Sequence, residues 1–277
     1  MSNRYSFEFF PPKTEAGREK LKDTRSQLAA LNPEFFSVTY GAGGSTRDNT
    51  RGIVLETKKA GLSVAPHLSF GGDEESEILE LLNSYKDAGI DRIVALRGDI
   101  PSGMGATRLV YARELVEFIR KHTGDHFQLE VAAYPEIHPD GKSYDADIGF
   151  LKDKLDAGAN SAITQYFFSA DSYFYFLDAC DKAGIDKPIY PGIMPITNYT
   201  NLARFSRNCG AEIPRWLSKK LEGYGDDQQS IIDFGTEFVT ELCHILMEGG
   251  APGIHFYSMN QVEPIKSIAK AVMESHP

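Results

Sequence analysis

Glu8 stands in Ser6-Phe7-Glu8-Phe9-Phe10-Pro11-Pro12, with aromatic rings on both sides. A carboxyl that loses hydration among rings has its pKa raised, which suits it to donate a proton near neutral pH. The competing reading is a strand-end carboxylate paired with a cation. A second group is Leu96-Arg97-Gly98-Asp99. Gly98 lets the backbone approach a flat or phosphorylated ligand, Arg97 can bind phosphate, and Asp99 can act on a ring nitrogen or a proton. The same residues would also make a turn holding a local Arg–Asp pair. Histidines follow in Ala65-Pro66-His67-Leu68 and Ala133-Tyr134-Pro135-Glu136-Ile137-His138. Their spacing matches neither H-E-x-x-H nor another compact ligand set, so a hydrogen bond to a cofactor or a structural role is expected rather than a metal. The stretch from Thr39 to Thr46 is glycine-rich but lacks G-x-G-x-x-G, and reads as a mobile loop over the site. The aromatics of Tyr166-Phe167-Phe168 and Tyr173-Phe174-Tyr175-Phe176 read mostly as core, with one or two free to stack on a planar ring.

Eight short apolar segments could carry these residues: Tyr5–Phe10, Phe35–Tyr40, Ser63–Leu68, Arg92–Arg97, Leu129–Tyr134, Ser161–Gln165, Ile189–Ile193 and Gly253–Tyr257. Between them, Ala16–Leu31, Arg47–Ala60, Glu74–Ala88, Arg108–His122, Asp145–Ala157, Ser172–Ala183 and Gln229–Glu248 have apolar residues at helical spacing, and Val262–Ser275 closes the order. Five helices end in a small residue and a glycine before the next strand, as at Ala88-Gly89, the mark of a left-handed helix stop. Such αβ units predict an α/β fold, a single (β/α)₈ barrel over residues 1–277. An insertion lies between the seventh and eighth strands, with helices near Asn201–Arg207 and Pro214–Leu221. Strand alternation sends Glu8 inward with Ser6, Thr39 with Ser37, His67 with Ala65, Arg97 and Asp99 with Ala95, Tyr134 with Ala132 and Glu130, Gln165 with Ile163, and Tyr257 with His255. Polar residues then gather at the C-terminal mouth, where barrels of this type do chemistry.

The chain's formal net charge of −10 argues against nucleic acid or an anionic membrane as the main partner. Cys180, Cys209 and Cys243 are odd in number and far apart, which fits a reducing compartment without a disulfide framework. No secretory leader or membrane-length apolar run is evident, and a cytoplasmic location is expected.

Taken together, Phe7-Glu8-Phe9-Phe10-Pro11-Pro12, Ser37-Val38-Thr39-Tyr40-Gly41-Ala42, Ala65-Pro66-His67-Leu68, Ala95-Leu96-Arg97-Gly98-Asp99, Ala133-Tyr134-Pro135-Glu136-Ile137-His138, Ile163-Thr164-Gln165, Pro191-Gly192-Ile193-Met194-Pro195 and His255-Phe256-Tyr257 resemble the bacterial methylenetetrahydrofolate reductases, in order and across almost the whole chain. The resemblance implies a flavoenzyme that passes a hydride from NADH (or NADPH) through FAD to 5,10-methylenetetrahydrofolate in a ping-pong reaction, supplying methyl groups for methionine synthesis. It implies that Thr39, His67, Arg97, Gly98, Asp99, Tyr111, Ala112, Tyr134, His138, Asp147 and Lys154 hold FAD, with Arg97 and Lys154 at the pyrophosphate. It makes Glu8 the general acid, puts Asp99 near both flavin and folate, and sets Gln165, Tyr257 and a stacking Phe205 on the substrate side. Two positions depart from the enterobacterial pattern: Gln261 replaces an arginine and Asn201 a glutamine, which bears on folate-tail and nucleotide contacts rather than on the chemistry. A homo-oligomer is expected on the same ground. The competing functions are another flavin barrel such as a proline dehydrogenase, a flavin-free lyase or aldolase, and a non-catalytic folate-binding barrel. No strand-end Schiff-base lysine or metal set favours the lyase, and an intact Glu8 and Asp99 disfavour the last.

Overall fold

The computed structural model describes residues 4–40, 44–70, 74–97 and 111–276, with the side chains of 44–47 left aside. The strands are β1 (Arg4–Phe9), β2 (Phe35–Val38), β3 (Val64–Leu68), β4 (Arg92–Ala95), β5 (Gln128–Ala133), β6 (Ser161–Thr164), β7 (Ile189–Tyr190), β8 (Gly192–Ile193) and β9 (Gly253–Tyr257). All pair in parallel, in the order β7-β6-β5-β4-β3-β2-β1-β9-β8. The two end strands are separated only by Pro191, so they form one stave and the sheet closes on itself. The expected unbroken strand Ile189–Ile193 is thus corrected to two short pieces. Proline has no N–H to give the ladder, but the Pro191 carbonyl still accepts from His255 N at 3.0 Å.

The helices are α1 (Glu15–Ala29), α2 (Gly44–Lys59), α3 (Glu75–Asp87), α4 (Ala112–Thr123), α5 (Tyr144–Asp156), α6 (Ala170–Lys182), α7 (Tyr199–Cys209), α8 (Arg215–Gly223), α9 (Gln228–Glu248) and α10 (Ile265–Ser275). Helices α7 and α8 are the expected insertion. The helix expected from Arg108 starts at Ala112 among the described residues. Gly89 has φ 74° just past α3, as the stop pattern requires. None of the described helices is long and apolar enough to cross a membrane.

Alternation along the strands makes two apolar layers. Phe7, Phe9, Phe36, Val38, Val64 and Leu68 face the helices and pack with residues such as Leu21, Leu28 and Ile53. Phe35, Ala65, Val94, Ile163 and Tyr190 fill the barrel interior. Inward positions agree with the sequence pattern on β1, β2, β3, β5, β6 and β9. On β4 they do not: Val94 is interior and Ala95 lies in the outer layer. The strand ends at Ala95, so Arg97 reaches the mouth from a loop and not by alternation. Glu130 also departs from expectation. It points inward but lies at the barrel floor, in an ion cluster with Arg92, Glu34 and Arg4.

Candidate active site

Glu8 is the fifth residue of β1, and the chain crosses the barrel mouth there. The aromatic neighbours Phe7 and Phe9 point the other way, into the helix layer. What faces the carboxylate is two imidazoles: His67 Nε2 lies 3.3 Å and His255 Nε2 3.5 Å from Glu8 Oε2. Burial opposes ionisation of Glu8 and is the largest single influence, but the two imidazoles, His255 first and then His67, together outweigh it. Its pKa is pulled down to about 2. The expectation of a raised pKa is therefore corrected for this state, because the rings that were to desolvate the carboxyl are not the groups it meets.

Further polar atoms converge on the same spot. His255 Nδ1 shares a 2.7 Å hydrogen bond with Ser6 Oγ, and Ser6 and His255 are register partners on β1 and β9. Ser37, the register partner of Glu8 on β2, has a buried hydroxyl without a hydrogen-bond partner among the described residues. Tyr257, opposite Glu8 on β9, donates its hydroxyl to the Thr164 carbonyl at 2.7 Å, and burial raises its pKa strongly. The Tyr257 ring lies so close over Gly192 that a Cβ there would stand 2.7 Å from it.

Beside this cluster, a cleft of about 820 Å³ opens over the ends of β3, β4 and β5 and runs outward against α4 and α5. Its floor is apolar, from Leu68, Ala95, Leu96, Ala132 and Ala133, and Arg97, Arg113 and Lys154 bring cations to it. Among the residues expected to hold a cofactor, Arg97, Tyr111, Ala112, Tyr134, His138, Asp147 and Lys154 line it. Lys154 is drawn in by a 2.5 Å hydrogen bond from Nζ to the Ala132 carbonyl. Burial lowers its pKa to about 8, although Asp147 pulls the other way. Arg97 is exposed and pairs with Asp140, 43 positions along the chain, at 3.0 Å; the local pair with Asp99 falls outside the described residues. Asp147 accepts from His138 N at 2.6 Å and folds the loop before α5 around itself, which gives this carboxylate a positioning task. His138 packs edge-on against Tyr134, ring centres 4.5 Å apart. A flat apolar floor and buried or paired cations suit a ligand with a planar part and an anionic part, and the volume falls in the range of ligand pockets.

Thr39 and His67 do not line the cleft; their neighbours Tyr40 and Leu68 do. Gln165 and Tyr134 share a small crevice next to it with Tyr166 and Cys209. Tyr166 lies 3.1 Å from Ser206 Oγ on α7, so the helix that carries Asn201 and Phe205 is tied to the end of β6. Arg204 sits over the Phe205 ring at 5.3 Å. Asn201 and Gln261 are exposed. Gly98 and Asp99, and the glycines Gly41 and Gly43, lie outside the described residues. Sequence reasoning passed over Ser6, His255, Tyr40 and Arg113. For Ser6 and His255 the inward alternation was a signal, but their pairing needs the β1–β9 register.

A family profile described as methylenetetrahydrofolate reductase matches residues 1–273. The 5,10-methylenetetrahydrofolate reductase of Escherichia coli (strain K12) is 42% identical over 259 residues, covering 93% of this chain and 86% of that protein. The Arabidopsis thaliana protein named methylenetetrahydrofolate reductase (NADH) 1 is 37% identical over 271 residues, covering 92% of this chain and 46% of that one. Among solved structures, an uncharacterized protein from Clostridium thermocellum that binds two copies of 5-methyl-5,6,7,8-tetrahydrofolic acid shares the fold, with a TM-score of 0.69 at 18% identity over 99% of this chain and 96% of that one. On the match along nearly its full length and on this identity to curated relatives, the chain belongs to the methylenetetrahydrofolate reductase family.

Proposed function

We propose that the chain reduces 5,10-methylenetetrahydrofolate to 5-methyltetrahydrofolate, using NAD(P)H and FAD in two half-reactions that share one site. The carrying observation is a carboxylate set between two imidazoles at the same barrel mouth as a cleft with an apolar floor and cations. Family membership supports the substrate, and the printed name of the plant relative favours NADH. Bound in the cleft, FAD would supply the hydride acceptor and donor. Arg97 and Lys154 are the cations for its pyrophosphate. Tyr111, Ala112, Tyr134 and His138 bound the rest, with Asp147 holding the loop that carries His138. Thr39, His67, Gly98 and Asp99 complete this set by resemblance. On the folate side, Gln165, Tyr257 and Phe205 position the ring, Asn201 and Gln261 stand toward the tail, and Asp99 stabilises developing positive charge. Glu8 delivers a proton to the bridging amine so that the five-membered ring can open. The test is the flavin spectrum of the purified protein. NADH should bleach it and methylenetetrahydrofolate should restore it. A colourless preparation that takes up no added FAD, or bleaching without recovery, argues against the assignment.

Lys154 gives this reading a pH signature. With its pKa near 8, the ammonium is present below that pH and is lost above it. FAD affinity should therefore weaken between pH 7 and about pH 9. In Lys154→Met, affinity at neutral pH should drop roughly tenfold and the pH dependence should flatten. Fluorescence titration of the apoprotein with FAD measures both. An unchanged affinity would remove Lys154 from the site.

A further inference from the structure

Resting on the reading that Glu8 is the acid, we propose that His255 is the positioning residue that stores the proton Glu8 delivers, so that the working acid is a Glu8–His255 pair anchored by Ser6. The difficulty it resolves is chemical. An ionised carboxylate has no proton to give, and the two imidazoles favour that ionised form.

His255 is 1% exposed. Its ring stacks on Phe35 at 6.1 Å between centres and meets the edge of Tyr257 at 5.3 Å. Ser6 fixes Nδ1 at 2.7 Å, which leaves Nε2 facing Glu8 at 3.5 Å; among the described residues it has no hydrogen-bond partner, and neither has His67 Nε2, whose ring lacks this anchor to Ser6. A buried polar nitrogen without a partner costs stability. Aimed at a carboxyl group that must gain and lose a proton, its position has a use. The other groups around Glu8 are His67 from β3, the Tyr257 hydroxyl from β9 and the Ser37 hydroxyl from β2; the Arg92–Glu130 cluster lies at the floor, with Arg92 4.5 Å from the Phe35 ring. His67 is less enclosed, at 7% exposure, and by resemblance serves the cofactor.

When two such groups interact, the proton belongs to the pair. Carboxylate beside imidazolium and carboxylic acid beside imidazole hold the same single proton. Water at the mouth favours the charged form. A planar apolar ligand that displaces this water favours the neutral form, which moves the proton onto Glu8 as substrate arrives. In the transfer, the Glu8 O–H bond breaks as the N–H bond to the leaving amine forms. The resulting carboxylate takes the next proton from His255 Nε2, and solvent restores His255.

The experiment follows the folate step of the flavin-loaded protein by stopped flow across pH, in the parent, Glu8→Gln, His255→Gln and Ser6→Ala, with the NADH step as control. At neutral pH His255→Gln should slow the folate step at least ~10-fold. Its loss of rate on the alkaline side should begin about one pH unit lower or more, because the reservoir is gone. Ser6→Ala should shift the profile the same way by less, and the NADH step should stay within about twofold of the parent. Independently of turnover, ¹⁵N NMR of the imidazoles should show the His255 ring signals altered in Glu8→Gln, whereas a packing role leaves them as in the parent. A His255→Gln profile equal to the parent's, or lowered by one constant factor at every pH, overturns the proposal and leaves a packing role. If His255→Gln does not fold, the Ser6→Ala profile and the NMR comparison decide in its place. A fast folate step in Glu8→Gln means instead that the acid assignment itself has failed, a result distinct from a slow Glu8→Gln beside an unaltered His255→Gln.

Discussion

On the proposed two-step reaction, Glu8→Gln is expected to slow reoxidation of the reduced protein by methylenetetrahydrofolate ~10²–10⁴-fold, with NADH-driven reduction near the parent rate. The amine that leaves the five-membered ring must be protonated as the ring opens, whereas hydride delivery from NADH needs no proton at this position. Glutamine keeps the volume and a hydrogen bond but has no proton to give at neutral pH. Its effect on packing should be small, because Glu8 sits at the open end of β1 with 19% of its side chain exposed. The Glu8 backbone carbonyl, which accepts from the Ser258 hydroxyl at 2.6 Å, is also untouched by the change. Stopped-flow absorbance of the flavin, with each substrate mixed separately, resolves the two steps. Folate reoxidation at the parent rate would leave Glu8 as a strand-end carboxylate paired with imidazoles. A parallel loss of both steps would point to damage of the cofactor cleft.

The legible part of this molecule is its local periodicity. Alternation on β1 was enough to turn Glu8 inward with Ser6, and the helix stops were readable because a left-handed residue selects glycine locally. Seven of the residues expected to hold a cofactor line one cleft, from the loops after β4 and β5 and from α4 and α5. The failures share a cause. The sign of the Glu8 shift depends on His67 and His255, and the Ser6–His255 bond spans 249 positions. No window of sequence contains both partners. Phe7 and Phe9 looked like the environment of Glu8 because they adjoin it in the chain, but a pleat places them on the opposite face. Likewise Arg97 has its partner in Asp140, and Asp147 bonds the His138 backbone, because loops after β4 and β5 fold back on each other. Polar residues on inward positions were all assigned to the mouth. Alternation gives the face of a strand but not the depth, and so Glu130 was read at the wrong end.

Glu130 and its partner carry the largest expected effect on stability. Arg92→Met should destabilise the fold by ~3–5 kcal/mol, the usual cost of removing one member of a buried ion pair. Glu130 is 1% exposed and bonds only Arg92 and Ser161 among the described residues. Without Arg92 its charge is left at the barrel floor with one hydroxyl for a hydrogen-bond partner and only the charge of the more exposed Arg4 nearby. Glu34, which Arg92 also holds at 2.6 Å, keeps Arg4 at 3.5 Å and a more exposed position, so it loses less. The Arg92 guanidinium carbon lies 4.5 Å from the centre of the Phe35 ring, a contact that methionine loses, while its unbranched chain fills much of the stem's volume and limits any cavity. For a chain of this size the melting temperature should fall by roughly 10 °C or more. The floor is at the far end of the barrel from Glu8, so FAD affinity measured well below the transition should hold. Arg92→Met combined with Glu130→Leu should recover most of the loss, because apolar groups of similar volume substitute well for a buried pair. A fall of under about 2 °C in Arg92→Met would show that solvent already shields Glu130. A double variant no better than the single would assign the loss to the contact of Arg92 with Phe35, since that contact is absent from both.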